Sequence, residues 1–292
     1  SIGESEGGLP PDRLTEDEPA ILRECQSAIE TYHNAERYAM HRVALAPCSP
    51  FSVSMNLMRE TAQMARAYEV GLHTHLAENA EDIDYSLAKF GMRPGEYIEA
   101  VGWVGHDVWH AHCVQLDKGE IDLFARTDTG IAHCPCSNMR LASGIAPIRK
   151  MLDAGINIGL GVDGSASNDS GNMLNEARQA MLLQRVMKTA DTLTARQSLA
   201  VATRGGAAVL GRDDIGQLAP GFAADIAAFD CRGIDFAGAA WDLLAGLLFC
   251  GPSKASYTII NGKVIVDQGQ LLTMDMPKLL ENHHVMTVDL MR

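Results

Sequence analysis

The chain has 292 residues, 47% hydrophobic and 21% charged, which is enough apolar material for a large core and more than one compact unit. Its formal charge of -13 opposes binding to nucleic-acid phosphates, and no run of about 18 apolar residues suggests a membrane span. Seven cysteines, with Cys48, Cys113, Cys134 and Cys250 inside apolar runs, are typical of reduced, buried thiols. We therefore expect a cytoplasmic protein with a small-molecule substrate and neither a nucleic-acid nor a membrane partner; the sequence leaves a homo-oligomer open.

Short apolar runs alternate with helical stretches along most of the chain. An amphipathic helix starts near Thr15, where acidic residues fill the first turn. Five strands are predicted, in VALAPC (43–48), EVGLHTHLAE (69–78), VWHAHC (108–113), TGIAHCPCS (129–137) and INIGLGVDG (156–164). The helices between and after them are predicted at 55–68, 81–100 with a break near Pro94, 117–126, 145–154 and 172–188. This alternation indicates an α/β fold with a parallel sheet covered by helices.

Polar side chains at the strand ends decide between two α/β folds. Histidines or acidic residues follow all but the first of the predicted strands, for example at His75, Glu78, His112 and Asp163. A (β/α)₈ TIM-like barrel collects its site from the carboxyl ends of several strands, whereas a doubly wound sheet usually uses one switch point. We therefore predict a partial barrel over residues 1–214.

A smaller β-rich module is predicted over residues 215–292. GFAADIAAFD (221–230) is typical of a strand, residues 235–249 of a packed helix, and YTIINGKVIV (257–266) of two strands. Asn261-Gly262 between the last two is a strong signal for a two-residue hairpin turn. The final stretch has little periodicity, and His283 and His284 are expected to be exposed tail residues rather than ligands.

Two His-x-His pairs lie in predicted strands. Side chains at i and i+2 share a face of a strand, so His73 and His75 are expected to point into the barrel together, with Glu78 just beyond the strand end. The same rule places His110 and His112 on one inward face. A single histidine in such a strand is more often a satisfied core residue, but four on adjacent strands favour a site.

Asp163 ends the last predicted strand, in GLGVDGSASN. A carboxylate buried there costs several kcal/mol unless it meets a cation, although aspartate is also common as a loop cap. With His75 it predicts a metal site, because imidazole and carboxylate are ligands of catalytic zinc and non-haem iron. We expect one divalent metal; zinc is favoured and iron is the alternative.

The order of these motifs is similar to that of a known family. THLAE, HAHC, HCPCSN and GVDGSASN on successive strands, followed by APGFAADIAAFD and IINGKVIV, resemble the amidohydrolase superfamily, in the branch of the cytosine, guanine and S-adenosylhomocysteine deaminases. Within it, GESEGGLPPD, ALAPCSPFSVS and LGVDGSASNDSGN are most similar to enzymes that deaminate 8-oxoguanine, and next to hydroxy-triazine aminohydrolases. The resemblance implies hydrolytic deamination of a purine-like ring.

The resemblance also implies a role for individual residues. His75 and Asp163 would bind the metal, Glu78 would carry protons to the substrate, and Asp163 would take the proton of the attacking water. His112 would orient the nucleophile or a substrate oxygen. Cys48, His112 and Asn138 would contact the substrate.

Two features depart from the family's pattern. The His-x-His of the family's first strand does not precede VALAPC, so the five strands would correspond to strands four to eight, with part of a small β-sandwich module. We expect such a chain to require a preceding barrel segment that supplies the other ligands. Cys48 stands where relatives often have histidine in P-H-S-P, which leaves the ring that is recognised open.

Other functions stay open at this point. The same barrel hydrolyses cyclic amides, and guanine, other aminopurines or aminopyrimidines, or hydroxy-triazines would use the same residues. His133, Cys134 and Cys136 could instead form a structural zinc site, with the two cysteines on one strand face, but the spacing is not C-x₂-C. The H-x-E and P-C-x-x-C signature of nucleic-acid deaminases is missing. An incomplete or inactive chain is the non-enzymatic alternative.

Overall fold

The computed structural model describes residues 1–8, 10–251 and 254–291. They form two compact units, Ser1–Asp213 and Asp214–Arg292. The strands of the first unit are β1 (Ala44–Leu45), β2 (Gly71–Leu76), β3 (Val108–His112), β4 (Gly130–His133) and β5 (Ile158–Leu160). Its helices are α1 (Glu18–Tyr32), α2 (Met55–Ala67), α3 (Ala80–Phe90), α4 (Pro94–Ala100), α5 (Lys118–Thr127), α6 (Pro135–Arg140), α7 (Ile148–Asp153), α8 (Met173–Met187), α9 (Ala195–Ala200) and α10 (Gly206–Val209), with a π-helical turn at Val201–Gly205 between the last two.

The five strands form one parallel sheet in the order β1-β2-β3-β4-β5. Consecutive order with helices between the strands is the arrangement of a barrel wall, and it fits part of a TIM-like barrel. The prediction of a parallel α/β sheet is confirmed. Each strand is shorter than predicted, because the polar residues after it belong to loops or to the next helix.

Local signals set most helix bounds. The Ser54 hydroxyl accepts from the Leu57 amide to start α2, and Asn79 forms a capping box with Asp82 at the start of α3. Gly91 adopts φ +67°, which ends α3, and Pro94 is the first residue of α4. The predicted break near Pro94 is therefore confirmed.

The sheet has one face covered by helices and one open face. Leu72, Thr74 and Leu76 point to the covered face and are fully buried, whereas His73 and His75 lie on the half-buried open face. The alternation predicted for β2 is confirmed.

The prediction for β3 is wrong for His110. His110 pairs in register with Thr74, so it lies on the helix-covered face, where its Nε2–H donates to the Trp103 carbonyl oxygen at 3.1 Å. His112 reaches the site because its backbone leaves the strand with φ +69°. The i, i+2 rule therefore fails here, since His112 is the last residue of β3 and its backbone is left-handed.

Burial of two histidines predicts a pH-dependent stability. Burial lowers the pKa of His110 and of His133 to about 3, whereas an unfolded histidine titrates near 6.5. Between these values only the unfolded chain binds the proton, so this stability is full above pH about 6.5 and falls as the pH drops. Going from about pH 7.5 to about pH 5.5 should cost about 1.4 kcal/mol per histidine.

Urea unfolding at both pH values, with a chelator present, measures this effect. The variant His110→Gln keeps a donor for the Trp103 carbonyl and removes one titrating ring. The free energy of unfolding that this variant loses between the two pH values should be smaller than the parent's loss by about 1.4 kcal/mol. The exposed His283→Gln is the matched control and should leave the difference unchanged. A parent and a His110→Gln variant with equal pH dependence would contradict the expectation.

The second unit contains an antiparallel sheet in the order β6-β7-β8-β9. Its elements are β6 (Ile226–Ala228), α11 (Leu243–Phe249), β7 (Tyr257–Ile260), β8 (Lys263–Asp267), β9 (Gln270–Leu271) and α12 (Met276–Leu290). Asn261 and Gly262 have φ +47° and +78°, so the predicted two-residue hairpin is confirmed.

Two predictions for this unit need correction. The helix expected over 235–249 covers only Leu243–Phe249, because Gly238 has φ +86° and Asp242 caps a new start. The final stretch, for which no helix was predicted, belongs to α12, started by the Asp275 cap, and His283 and His284 are exposed as expected. Helix α12 has no buried residue, although Met276, Leu279, Leu280 and Met286 recur along it at helical spacing.

Candidate active site

The carboxyl ends of the strands carry unusual backbone conformations. Ala77, His112, Cys113 and Asp163 are non-glycine residues with φ between +49° and +69°. Non-glycine residues rarely adopt this left-handed backbone conformation, and those that do are concentrated at functional sites. These turns direct His112 and Asp163 to the rim where β2 also ends.

Four of the residues singled out in the sequence meet at this rim. His75 Nε2 lies 3.6 Å from Asp163 Oδ1, and His112 Nε2 lies 3.6 Å from Glu78 Oε2 and 4.0 Å from Asp163 Oδ2. The rings of His75 and His112 stack with their centroids 5.3 Å apart. An imidazole from β2 and a carboxylate from the loop after β5 therefore converge, as the sequence predicted.

The Asp163 carboxylate is held by two hydroxyl groups. Ser137 Oγ and Ser167 Oγ donate to Asp163 Oδ2 at 2.6 and 2.9 Å. Burial alone would raise the pKa of Asp163, but these two bonds and the neighbouring His112 lower it below its ordinary value. Asp163 is therefore kept as an anion, with Oδ1 turned towards His75.

Glu78 is oriented in a similar way from a different loop. Ser143 Oγ donates to Glu78 Oε1 at 2.8 Å, which leaves Oε2 facing His112. The Glu78 amide donates to Asp82 Oδ2 at 2.7 Å and so fixes the backbone beside the capping box of α3. Glu78 thus presents one free carboxylate oxygen to the site.

The sequence did not single out these three serines. Ser167 follows Asp163 by four residues in the same turn, a local spacing that could have indicated the contact. Ser137 and Ser143 reach their carboxylates across 26 and 65 residues, and no pattern in the sequence announces such contacts.

Cys48 lies beside His75, and it is exposed rather than buried as predicted. The Cys48 carbonyl oxygen is 2.5 Å from His75 Nδ1. A hydrogen bond with the Cys48 thiol raises the pKa of His75 to about 9, and the same bond lowers the pKa of the thiol. A metal ion that binds His75 would displace the proton from this imidazole.

Asn138 is fully buried next to His112. Its Oδ1 lies 2.8 Å from His112 Nδ1, on the side of the ring away from Glu78 and Asp163. His73, in contrast, stacks on Trp109 with centroids 5.4 Å apart and is not one of the converging groups.

The alternative zinc site at His133, Cys134 and Cys136 does not form. Cys134 caps α6 and Cys136 lies within it, so the expectation that both share a strand face is wrong. Burial raises the pKa of each thiol to about 12. Over residues 1–8, 10–251 and 254–291, the one group of three or more candidate metal ligands is His75, His112 and Asp163.

These donor atoms fit a metal ion. They lie within 4.8 Å of one another, and ligands about 2.1 Å from a tetrahedral zinc are roughly 3.4 Å apart, close to the His75–Asp163 separation. In the described part of the chain, the basic nitrogens within 4.0 Å of the Asp163 and Glu78 carboxylates belong to His75 and His112, and none belongs to lysine or arginine. Two carboxylates in such surroundings need a cation, and His75 and Asp163 would hold it.

A separate concavity lies at the amino end of the same sheet and contains none of the four converging residues. Its volume is about 920 Å³, and Gly71, Trp109 and Arg66 contribute to its lining. A side-chain carbon on Gly71 would lie 2.6 Å from the Trp109 ring, so this position requires glycine. Arg66 is paired with Asp107, and none of the residues that line the concavity belongs to the candidate metal-ligand group.

No helix in the described residues is long and apolar enough to cross a bilayer.

Comparison with known proteins identifies close relatives. The chain is 45% identical over 283 residues to 8-oxoguanine deaminase from Pseudomonas aeruginosa, covering 97% of this chain and 63% of the relative. It is 38% identical over 278 residues to hydroxydechloroatrazine ethylaminohydrolase from Pseudomonas sp. strain ADP, covering 93% of this chain and 57% of that enzyme. The chain thus spans less than two thirds of the length of these relatives.

A solved structure is also similar to this chain. Atrazine chlorohydrolase TrzN from Arthrobacter aurescens TC1, complexed with zinc, superposes with a TM-score of 0.93 at 38% identity, over 97% of this chain and 63% of that chain. The model of the amidohydrolase family matches residues 7–266. The resemblance predicted from the motifs is confirmed: the chain belongs to the amidohydrolase family.

Proposed function

We propose that the protein is a metal-dependent hydrolytic deaminase of a purine-like ring, with 8-oxoguanine as the substrate and urate and ammonia as products. The convergence of His75, Glu78, His112 and Asp163 on one rim carries this proposal. The 45% identity to 8-oxoguanine deaminase supports the choice of ring.

The arrangement suits hydrolysis at an amidine-like ring carbon. His75 and Asp163 would hold a divalent metal, zinc rather than iron in view of the zinc-complexed relative, and such an ion would supply a water whose pKa is lowered towards about 7. Asp163 is kept ionised by its two serines, so it can accept the proton of the attacking water. Glu78 has one free oxygen, with which it can carry a proton to the ring nitrogen and the departing amine.

The remaining side chains position the substrate in this proposal. His112 Nε2 faces both carboxylates, where it can orient the nucleophile or a ring oxygen. Cys48 is exposed beside His75 and can contact the ring. In the same scheme the five strands are strands four to eight of an eight-stranded barrel, and the second unit is part of a β-sandwich module.

A second substrate class shares the same chemistry. The 38% identity to hydroxydechloroatrazine ethylaminohydrolase favours a hydroxy-triazine as the alternative ring, with an amine as the leaving group. Deamination of guanine, or of other aminopurines or aminopyrimidines, would use the same catalytic residues. The contacts around Cys48 would decide among them, since the metal and the two carboxylates serve each reaction equally.

The released product separates these possibilities: ammonia is measured for the purines and isocytosine, and the free alkylamine for the triazine. The protein expressed from its gene is loaded with zinc and assayed on 8-oxoguanine, guanine, isocytosine and a hydroxy-triazine, with metal content measured in parallel. We expect the highest kcat/KM on 8-oxoguanine. Turnover of the triazine alone would replace the first choice by the second, and a zinc-loaded protein without any turnover would favour an inactive chain.

The variant His75→Ala is expected to bind zinc much more weakly than the parent. Loss of a residue that hydrogen-bonds to a metal ligand typically lowers metal affinity by roughly 10- to 100-fold. Because His75→Ala removes a ligand itself, its zinc affinity should fall by more than this. Competition with a chromophoric chelator measures the affinity. The control is His73→Ala, two residues away on the same face, which removes a ring stacked on Trp109 and should keep the metal. Equal zinc affinities for the two variants would refute the assignment of His75.

A further inference from the structure

The two ring nitrogens of His112 face different groups. Nε2 points to the carboxylates of Glu78 and Asp163, at 3.6 and 4.0 Å, and Nδ1 meets Asn138 Oδ1 at 2.8 Å. The His112 side chain is 1% exposed, and its backbone is fixed in the left-handed region. The ring therefore has little freedom to exchange the two nitrogens.

Asn138 is positioned to act on this ring and on nothing in the open site. Its side chain is fully buried, and its Nδ2 is covered without a hydrogen-bond partner in the described part of the chain. The Asn138 amide N–H donates to the Cys134 carbonyl, and the Asn138 carbonyl accepts from Ser143, so the residue is tied to α6 and to the loop that holds Glu78. Its remaining interaction is the bond to His112.

The Asn138 atom that contacts His112 Nδ1 determines which ring nitrogen of His112 carries the proton. A neutral imidazole has one N–H donor and one acceptor, and an amide oxygen can only accept. Nδ1 must then be the donor, which leaves Nε2 as the nitrogen that faces the reacting groups.

We propose that Asn138 is a positioning residue that holds the proton of His112 on Nδ1, so that His112 acts on the substrate or the nucleophile through Nε2 alone. This inference rests on the proposed function for its catalytic meaning, but the protonation site itself does not depend on turnover. It gives Asn138 a role through His112 in place of the direct substrate contact expected from the sequence.

Nitrogen NMR of the histidine-labelled protein tests the protonation site. The ring nitrogen shifts distinguish a protonated from a bare nitrogen, and they are recorded with and without zinc for the parent, Asn138→Asp and Asn138→Leu. The parent and Asn138→Asp, which both offer an acceptor oxygen, should show Nδ1 protonated, whereas Asn138→Leu should show a mixture of tautomers. A bare Nδ1 in the parent, or an unchanged single tautomer in Asn138→Leu, would overturn the proposal.

Kinetics then test the catalytic consequence. With 8-oxoguanine, Asn138→Leu should lose roughly 10- to 100-fold in kcat with little change in KM, since the residue does not touch substrate. A rise in KM at constant kcat would instead indicate direct substrate binding and would overturn the positioning role. Thermal unfolding of each variant verifies that it is folded. If the parent turns over no substrate, the proposed function fails, while the NMR result still decides the tautomer.

Discussion

Replacing Asp163 with asparagine is expected to remove both the metal and the activity. The amide has no negative charge to balance a divalent cation, and it cannot accept a proton from water at neutral pH. The side-chain shape is preserved, so Ser137 and Ser167 can still donate to an oxygen at this position. We expect zinc content well below that of the parent and a loss in kcat of at least about 10²-fold, the scale for removal of a general base.

Asp169→Asn is the matched control for this variant. Asp169 lies in the same loop, its side chain is 70% exposed, and it pairs with Arg140 on the surface. Exposed ion pairs contribute little to stability, so this change should leave zinc content and kcat within a small factor of the parent. Metal analysis and ammonia release on the same preparations compare the two variants. Near-normal activity of Asp163→Asn would refute the role assigned to Asp163.

The parallel sheet and most of its helices could be predicted because their signals are local. Apolar strands of two to six residues, serine and asparagine caps, and the Gly91 and Pro94 break are each decided by residues close together in the chain. Helix α12 was missed even though Met276, Leu279, Leu280 and Met286 recur at helical spacing and Asp275 caps its start, so this local signal was available in the sequence.

The histidines show where a periodic rule stops. His73 and His75 follow the alternation of β2, since both residues lie inside the strand. His110 lies on the helix-covered face and His112 reaches the site, because His112 is the last residue of β3 and its backbone, like that of Cys113, is left-handed. Such a conformation in a non-glycine residue has no signature in the sequence, and it is stabilised by contacts made only in the folded protein.

The contacts that orient the site were even less accessible to prediction. His75, Glu78, His112 and Asp163 stood out by their chemical type at strand ends, and the structure brings all four together. The groups that hold them, Ser143 and Asn138, are common polar residues in loops and short helices. Their partners are 65 and 26 residues away in the chain, so these contacts can be identified only in the folded structure.

Glu78→Gln is expected to separate metal binding from catalysis. Glutamine keeps the shape of the side chain, and its amide oxygen can accept the Ser143 hydroxyl bond that now orients Oε1. It cannot carry a proton, so transfer to the ring nitrogen and to the departing amine is lost. Because the proposed metal ligands are other residues, zinc content should equal that of the parent while kcat falls by about 10²-fold or more.

Glu81→Gln provides the comparison, since Glu81 is exposed in the first turn of α3 and is three residues from Glu78. It should retain the parent's kcat and zinc content, with at most a small loss of stability from the helix dipole. Single-turnover rates on 8-oxoguanine, measured with saturating zinc, isolate the chemical step from product release. If Glu78→Gln loses zinc together with activity, Glu78 is a ligand rather than a proton carrier. Removal of a proton carrier costs far more than threefold in kcat. If Glu78→Gln retains kcat within about threefold, another group must therefore bring the proton to the leaving amine. His112, whose Nε2 lies 3.6 Å from Glu78, is the next candidate.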